Sequence, residues 1–440
     1  MPHGPRGLGV ALGATLALVS GSAVGRVSPS EAAPIFAEAR AICDRDQGRF
    51  WGVSLCGPIL LVDPTDRSVI ANVADTGGVL APSGPDYVGV LPPSVILANT
   101  PVEWSGQRWT ELLLPLEPKA DARTYPASWH GVLIAHEMFH RIQPGLKLTR
   151  DEAGNRHLDT FQGRYLMQLE WRALAAALNA RTIADRDLAI ADALLFRRER
   201  YRLFPGAAAE EAALEINEGI PEYTGVMLGI SAPSERVAYA TYDLSAFATS
   251  PTFVRGFAYA TGPAYGLLLD QLQPGWRGKL NSGARLDELL SDAAGASAKP
   301  AADLSKREAA YDDGSLRAAE LKREDARLSH QAALRAQLID GPVLILPLHH
   351  VAYQFNPQTL VPLGEAGTVY PTARLATDWG VLTITDGVLL SKDMTVAHVS
   401  AAGIDLAKAT GPGWRLELKP GWKMQPASRT GDFTVREGPP

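Results

Sequence analysis

Residues Ile134–Gln143 read I-A-H-E-M-F-H-R-I-Q, and this stretch carries the strongest signal in the chain. Residues four apart on an α-helix are rotated by only about 40° and rise roughly 6 Å, so His136 and His140 project from one helical face. Glu137 lies about 100° round from His136, near that face but not pointing along it. Two imidazoles and a neighbouring carboxylate in this arrangement are typical of a divalent metal site.

We predict that the metal is zinc. A catalytic zinc site uses three protein ligands and keeps its fourth position for water. His136 and His140 would be two of the ligands, and Glu137 would be the general base that takes a proton from the water. The alternative is a chance H-E-x-x-H in an amphipathic helix. Met138 and Phe139 indicate a largely buried helix, however, and buried histidines need partners that offset their desolvation.

Glu218 and Glu170 are the two candidates for the third zinc ligand. In the sequence, 77 residues separate His140 from Glu218 and 29 separate it from Glu170. Glu170, the nearer of the two along the chain, stays open. Glu170 has a second interpretation, a buried ion pair with an arginine such as Arg172 or Arg141. If both glutamates held the ion, the site would be closed and structural rather than catalytic.

A family resemblance bears on this choice. H-E-x-x-H at 136–140 followed by N-E-G-x-x-E-Y at 217–223 resembles the gluzincin group of zinc peptidases, which includes thermolysin, aminopeptidase N-type enzymes and clostridial collagenases. The resemblance implies Glu218 as third zinc ligand and Glu222 as an outer acid that supports a ligand histidine. A ligating histidine does need an acceptor for its other ring nitrogen. Glu170 is followed four residues later by Leu174 and does not match.

The resemblance also implies a donor for the oxyanion that develops during hydrolysis. Tyr259 begins a Y-A-T-G sequence that is similar to the tyrosine motif of aminopeptidase N-type enzymes, whose hydroxyl stabilises the tetrahedral intermediate. Tyr265 and Tyr223 are alternatives for this role. An aromatic side chain at helical spacing also fits simple core packing.

The N-terminus indicates export. Arg6 is the one charged residue before an uncharged stretch from Gly7 to Gly25, which ends in the small-x-small sequence Ala23-Val24-Gly25. This pattern predicts a secretory signal peptide over residues 1–25 and a periplasmic or secreted protein without a stable membrane span after cleavage. An uncleaved anchor is the alternative. The two cysteines, Cys43 and Cys56, are then expected to form a disulfide in an oxidising compartment, with two buried thiols as the alternative.

Changes of periodicity divide the chain of 440 residues and predict an α+β fold class. A helical zincin-like catalytic domain is expected to be flanked by small, mostly-β N-terminal and C-terminal regions. The expected boundaries are 26–125 (N-terminal mostly-β region), 126–295 (helical zinc-binding domain), 296–339 (charged helical connector) and 340–440 (C-terminal β domain). Within the last of these, Asp386–Gly387 between two β-rich runs predicts a type I′ hairpin.

Together these features predict an exported zinc-dependent metallohydrolase, a peptidase that acts on a peptide or protein substrate. The net charge of −6 gives no electrostatic reason to expect nucleic acid as a partner. Two alternative functions stay open. One is a zinc amidase or esterase that does not cut peptides, and the other is a non-catalytic envelope binding protein with a structural zinc site.

Overall fold

The computed structural model describes residues 27–116, 126–151, 154–295, 303–355 and 359–438. Contacts divide the chain into two compact units, Met1–Asp313 (unit 1) and Gly314–Pro440 (unit 2). The central region is helical and the C-terminal region is rich in strands, which confirms the expected α+β class. The predicted signal peptide lies outside the described residues. The boundary between the units falls inside the stretch predicted to be a connector.

Unit 1 opens with helix α1 (Pro29–Asp46) and continues into a mixed sheet. The hydroxyl of Ser28 accepts a hydrogen bond from the backbone N–H of Glu31 and caps the start of α1. The strands are β1 (Ile59–Val62), β2 (Ser68–Ala71), β3 (Ala81–Ser83), β4 (Asp86–Val90), β5 (Thr100–Trp104) and β6 (Gln107–Leu113). Their order is β3-β4-β2-β1-β6-β5, with β1 and β6 parallel and the other neighbours antiparallel.

Helices form most of the remainder of unit 1. Helix α2 (Trp129–Ile142) carries the H-E-x-x-H sequence and packs beside β5 and β6. Its apolar residues Ile134, Ala135, Met138 and Phe139 are buried, as their helical spacing requires for one inward face. The other helices are α3 (Phe161–Leu178), α4 (Ile183–Leu203), α5 (Ala207–Leu214), α6 (Ile220–Gly229), α7 (Pro233–Ala246), α8 (Phe257–Leu272), α9 (Leu286–Ala293) and α10 (Leu304–Tyr311).

Glycines allow α2 and α6 to approach each other closely. A Cβ added at Gly229 on α6 would lie 2.4 Å from the carbonyl carbon of Gly131 on α2. One added at Gly225 would lie 2.6 Å from the carbonyl oxygen of Val132. Because backbone meets backbone at these positions, a larger residue would push the helices apart. This close crossing brings the H-E-x-x-H sequence of α2 next to the N-E-G-x-x-E-Y sequence that leads into α6.

A π-turn joins α5 to α6. Residues Glu215–Gly219 form one wide turn in which the N–H of Ile220 donates to the carbonyl of Glu215, five residues back. Pro221 follows directly and has no N–H with which to continue a regular α-helical ladder. The wide turn therefore leaves the carbonyl of Ile216 without the α-helical donor it would otherwise have.

Unit 2 contains helix α11 (Ser315–Arg335) and two sheets that share one core. The strands are β7 (Val343–Pro347), β8 (Ala352–Phe355), β9 (Val361–Pro362), β10 (Thr368–Tyr370), β11 (Ala373–Thr377), β12 (Gly380–Ile384), β13 (Val388–Leu390), β14 (Val396–Ser400), β15 (Thr410–Gly411), β16 (Trp414–Leu418), β17 (Trp422–Pro426) and β18 (Phe433–Glu437). The seven-stranded sheet has the order β17-β18-β7-β14-β13-β10-β9 and the five-stranded sheet has the order β15-β16-β12-β11-β8.

The predicted hairpin at Asp386–Gly387 is wrong. Strand β12 pairs with β11 and β16, whereas β13 pairs with β10 and β14, so the two strands belong to different sheets. The N–H of Gly387 donates to the carbonyl of Pro371 instead of closing a two-residue turn. All three residues of β13 are buried, and because β12 and β13 lie in different sheets, the chain crosses from one sheet to the other at Asp386–Gly387.

Among the described residues, we find no helix with both the length and the apolar character needed to span a bilayer.

The crossing of α2 and α6 gives a first prediction. Gly225→Ala should lower the free energy of unfolding by about 1–3 kcal/mol, because the added methyl group overlaps the backbone of Val132. Urea denaturation followed by far-ultraviolet circular dichroism measures this change. Gly145→Ala is the matched control, since a Cβ there meets no atom within 4 Å. If both variants had the wild-type midpoint, the close crossing would not constrain the fold.

Candidate metal centre

Helix α2 presents His136 and His140 toward one point. Their Nε2 atoms lie 2.9 Å apart and their ring centroids 4.7 Å apart. His136 is buried, and His140 is partly exposed one turn further along the helix. The burial follows from the apolar residues that surround the two histidines on α2, which turn this face of the helix inward.

The π-turn brings Glu218 to the same point. Its Oε2 atom lies 3.7 Å from Nε2 of His136 and 3.6 Å from Nε2 of His140. One candidate ligand atom from each of these three residues lies within 4.8 Å of the others. Two nitrogens and one carboxylate oxygen are ligands that zinc accepts, and the distances are short enough for one ion to contact all three.

Both imidazoles are held through Nδ1. The Nδ1 atom of His136 lies 2.7 Å from Oε2 of Glu222, and that of His140 lies 2.7 Å from Oε1 of Gln143. A carboxylate and an amide oxygen can only accept, so each ring carries its hydrogen on Nδ1 and donates it. The neutral ring then has its lone pair on Nε2, as a metal ligand requires.

Gln143 was missed by the sequence analysis, and the π-turn explains its role. Its Nε2 amide group donates to the carbonyl of Leu148 at 2.8 Å and to that of Ile216 at 2.9 Å. The carbonyl of Ile216 is the one left over by the wide turn before Pro221. These bonds fix the amide so that its oxygen faces His140. The only sequence signal was the position of Gln143, three residues after His140 and therefore on a neighbouring helical face.

The donor set fits a cation. Two Nε2 lone pairs and the Glu218 carboxylate converge, and acceptors this close repel one another unless a proton or a metal ion lies among them. Burial lowers the pKa of His136, but its interactions with the carboxylates of Glu218 and Glu222 outweigh burial and raise that pKa to about 10. Burial raises the pKa of Glu218, while its interactions with both imidazoles hold it well below the usual range. The site thus favours positive charge.

Glu137 lies beside this cluster with one oxygen uncommitted. It is buried, and within the described part of the chain its Oε2 atom has no hydrogen-bond partner. Burial raises the pKa of Glu137, against the lowering effect of His136 and His140. A buried carboxylate with a free oxygen and a raised pKa is suited to accept a proton.

Tyr259 also reaches the cluster. Its hydroxyl donates to Oε2 of Glu218 at 2.7 Å, and its ring stacks on His136 with centroids 5.7 Å apart. The two alternative tyrosines are engaged elsewhere. The hydroxyl of Tyr223 donates to Asp270 at 2.6 Å, and that of Tyr265 donates to Glu170 at 2.9 Å.

Glu170 lies in a buried ionic network instead of the cluster. Its Oε1 atom accepts from Arg197 at 2.8 Å and its Oε2 atom from Arg200 at 2.7 Å, with all three side chains fully buried. The prediction that Glu170 pairs with an arginine such as Arg172 or Arg141 is wrong about the arginines, since both of these bond backbone carbonyls. Arg172 donates to the carbonyl of Tyr311, because α4 rather than α3 supplies the arginines that face Glu170.

The same network supports the π-turn. Arg197 donates to both carboxylate oxygens of Glu215, at 2.6 and 3.1 Å. Glu215 is the first residue of the turn that carries Glu218. Arg200 continues the network to Glu211. The start of the turn is therefore fixed by a buried bidentate ion pair.

A disulfide joins Cys43 and Cys56, with their Cα atoms 5.5 Å apart. The segment that it closes rests on α2. The ring of Trp51 packs on Phe139 at 5.1 Å, and Arg141 donates to the carbonyls of Leu55 and Cys56 at 2.8 Å each. The closed segment buries the side of α2 next to the histidines.

No protein-family model, curated protein or solved structure matches this chain. The function is therefore inferred from the residues of the site itself.

The arrangement predicts which glutamate binds the metal. Glu218→Gln should lose bound zinc, because a neutral amide replaces the carboxylate next to His136 and His140. Glu170→Gln should keep it, since its partners are arginines. Elemental analysis after dialysis against zinc measures the stoichiometry, and circular dichroism verifies that each variant is folded. Zinc loss confined to folded Glu170→Gln would overturn the assignment.

A second prediction concerns Gln143. Gln143→Leu should weaken zinc binding by about 10- to 100-fold, because His140 loses the acceptor that keeps its hydrogen on Nδ1. Competition with a chromogenic chelator measures the affinity. Gln354→Leu, the same change at an exposed glutamine of unit 2, is the matched control and should keep the wild-type affinity. Equal affinity in Gln143→Leu and wild type would remove Gln143 from the site.

Proposed function

We propose that this protein is an exported zinc-dependent peptidase of gluzincin type. The observation that carries the proposal is the combination of a ligand cluster with an uncommitted buried base. His136, His140 and Glu218 offer three ligand atoms to one ion, and Glu137 has a free carboxylate oxygen beside them. Three protein ligands leave room for solvent, which is the pattern of a catalytic rather than a structural zinc site.

In this proposal each residue has a separate role. Zinc, when bound, supplies a Lewis acid that lowers the pKa of water and polarises a substrate carbonyl. Glu137 accepts the proton that the attacking water loses and passes it to the leaving amine. Glu222 and Gln143 keep the two imidazoles oriented through Nδ1. Tyr259 donates its hydroxyl, now bonded to Glu218, to the developing oxyanion.

The edge of the N-terminal sheet supports a peptide as the substrate. Strand β5 is at the edge of its sheet among the described residues, and α2 packs beside it. An edge strand offers unpaired N–H and C=O groups to which an extended peptide can bond.

The Cys43–Cys56 disulfide suits a protein that works in an oxidising compartment, as the proposed signal peptide implies.

A closed structural site finds no support in this geometry. That alternative needs Glu170 and Glu218 on the same ion, yet both carboxylate oxygens of Glu170 are bonded to arginines. It would also leave the free oxygen of Glu137 without a function, although burying it is unfavourable.

The decisive experiment replaces Glu137. Glu137→Gln should keep one zinc per chain and lower the rate of peptide cleavage by about 100- to 10,000-fold, because the amide cannot accept the proton. A quenched fluorescent peptide library measures cleavage, and removal and return of zinc tests metal dependence. Glu235→Gln, the same change at an exposed glutamate, is the control. Cleavage of esters or small amides without peptides would indicate an amidase or esterase. Full activity in Glu137→Gln would reject the mechanism.

A further inference from the structure

We propose that unit 1 has a second binding site, a cavity of about 310 Å³ that takes a small phosphate- or carboxylate-bearing molecule. The proposal is independent of the proposed function. Four arginines and one acidic residue are among the residues that line the cavity: Arg45, Arg49, Arg236, Arg277 and Asp46. This concentration of positive charge stands out on a chain whose net charge is −6. His136, His140 and Glu218 do not line the cavity.

Three of the arginines have no carboxylate partner among the described residues. The guanidinium of Arg45 donates to the carbonyl of Leu228 at 2.8 Å, and that of Arg236 donates to the carbonyl of Ile230 at 2.8 Å. The Nε atom of Arg49 donates to the carbonyl of Asp46 at 3.1 Å. Carbonyl bonds satisfy part of each guanidinium but do not neutralise it, and each has five N–H groups to offer.

The acidic residue in the lining is already engaged. The carboxylate of Asp46 accepts from the N–H of Gly48 at 3.1 Å and from that of Phe50 at 2.9 Å. Burial lowers the pKa of Arg236, the interactions with Tyr223 and Asp270 raise it, and the positive charge of Arg45 lowers it. Arg45 and Arg236 thus repel each other electrostatically, and an anion bound by both would relieve that repulsion.

Arg277 forms a fixed wall of the cavity. It pairs with Asp270 at 2.9 Å and lies over the ring of Phe50, with its Cζ atom 4.1 Å from the ring centroid. These contacts reduce the conformational freedom that Arg277 would lose on binding a ligand. A fixed cation beside three incompletely neutralised ones is the arrangement expected of an oxyanion site.

The size and chemistry of the cavity limit the ligand. About 300 Å³ is the lower end of the range for small-molecule pockets, which favours a small ligand. Planar guanidinium groups bind the paired oxygens of carboxylates and phosphates through two parallel hydrogen bonds. A free phosphate, a small phosphate ester and a short carboxylic acid share this chemistry.

Isothermal titration of the full chain with sodium phosphate, and separately with sodium succinate, tests the site. We expect saturable binding of one anion per chain for at least one of them, and the arm that binds tells phosphate from carboxylate. Loss of one charge-assisted contact should weaken binding by about tenfold or more in Arg45→Gln, Arg236→Gln and Arg49→Gln. Arg415→Gln, an exposed arginine of unit 2, is the control and should bind normally.

Two further measurements distinguish loss of the anion site from unfolding and from anion binding at the metal centre. Arg45 and Arg236 also bond carbonyls at the end of α6, so thermal unfolding is recorded for each variant, and Arg49→Gln tests the site without touching that helix end. Because an anion could bind at the metal centre, binding must persist in Glu218→Gln. Absence of saturable binding in the wild type, equal binding in all three arginine variants, or loss of binding in Glu218→Gln would each overturn the proposal.

Discussion

The structure of the site depends on two imidazole nitrogens that face each other at 2.9 Å with a carboxylate beside them. Both rings donate through Nδ1, so neutral histidines would bring two lone pairs together. Such a geometry is stable only around a positive charge. The fold buries His136 together with Glu137 and Glu222, and removing these polar groups from water is unfavourable. A metal ion satisfies all these groups at once.

The π-turn links this cluster to the rest of unit 1. At its start, Glu215 is held by the fully buried guanidinium of Arg197. At its end, a Cβ on Gly262 of α8 would lie 2.2 Å from the carbonyl oxygen of Gly219, so the backbones of the turn and of α8 are in direct contact. Between these two fixed points, Glu218 has little freedom to move. Positioning of a ligand by buried ion pairs and backbone packing is the support that an accurate metal site requires.

The sequence predicted the parts of the site that local geometry controls, and it left open those that tertiary packing controls. His136, Glu137 and His140 follow from helical periodicity alone. The choice between Glu218 and Glu170 required knowing which arginines α4 places next to α3, and no spacing along the chain contains that information. The predicted hairpin at Asp386–Gly387 is wrong for a similar reason, because the two flanking strands pair with different partners in separate sheets, and the local turn signal contains no information about those partners.

The remaining question is why a buried carboxylate should be left partly unsatisfied. In a site built only for stability, a glutamate with one unpaired oxygen is unfavourable, and an apolar side chain of similar size would serve better. Glu137 adjoins the histidines, but it is not among the three residues whose ligand atoms converge. The proposed role as general base would use its free oxygen to accept a proton from water. A structural site would bury the same oxygen with nothing to bond, which is why the arrangement favours the proposed catalytic role.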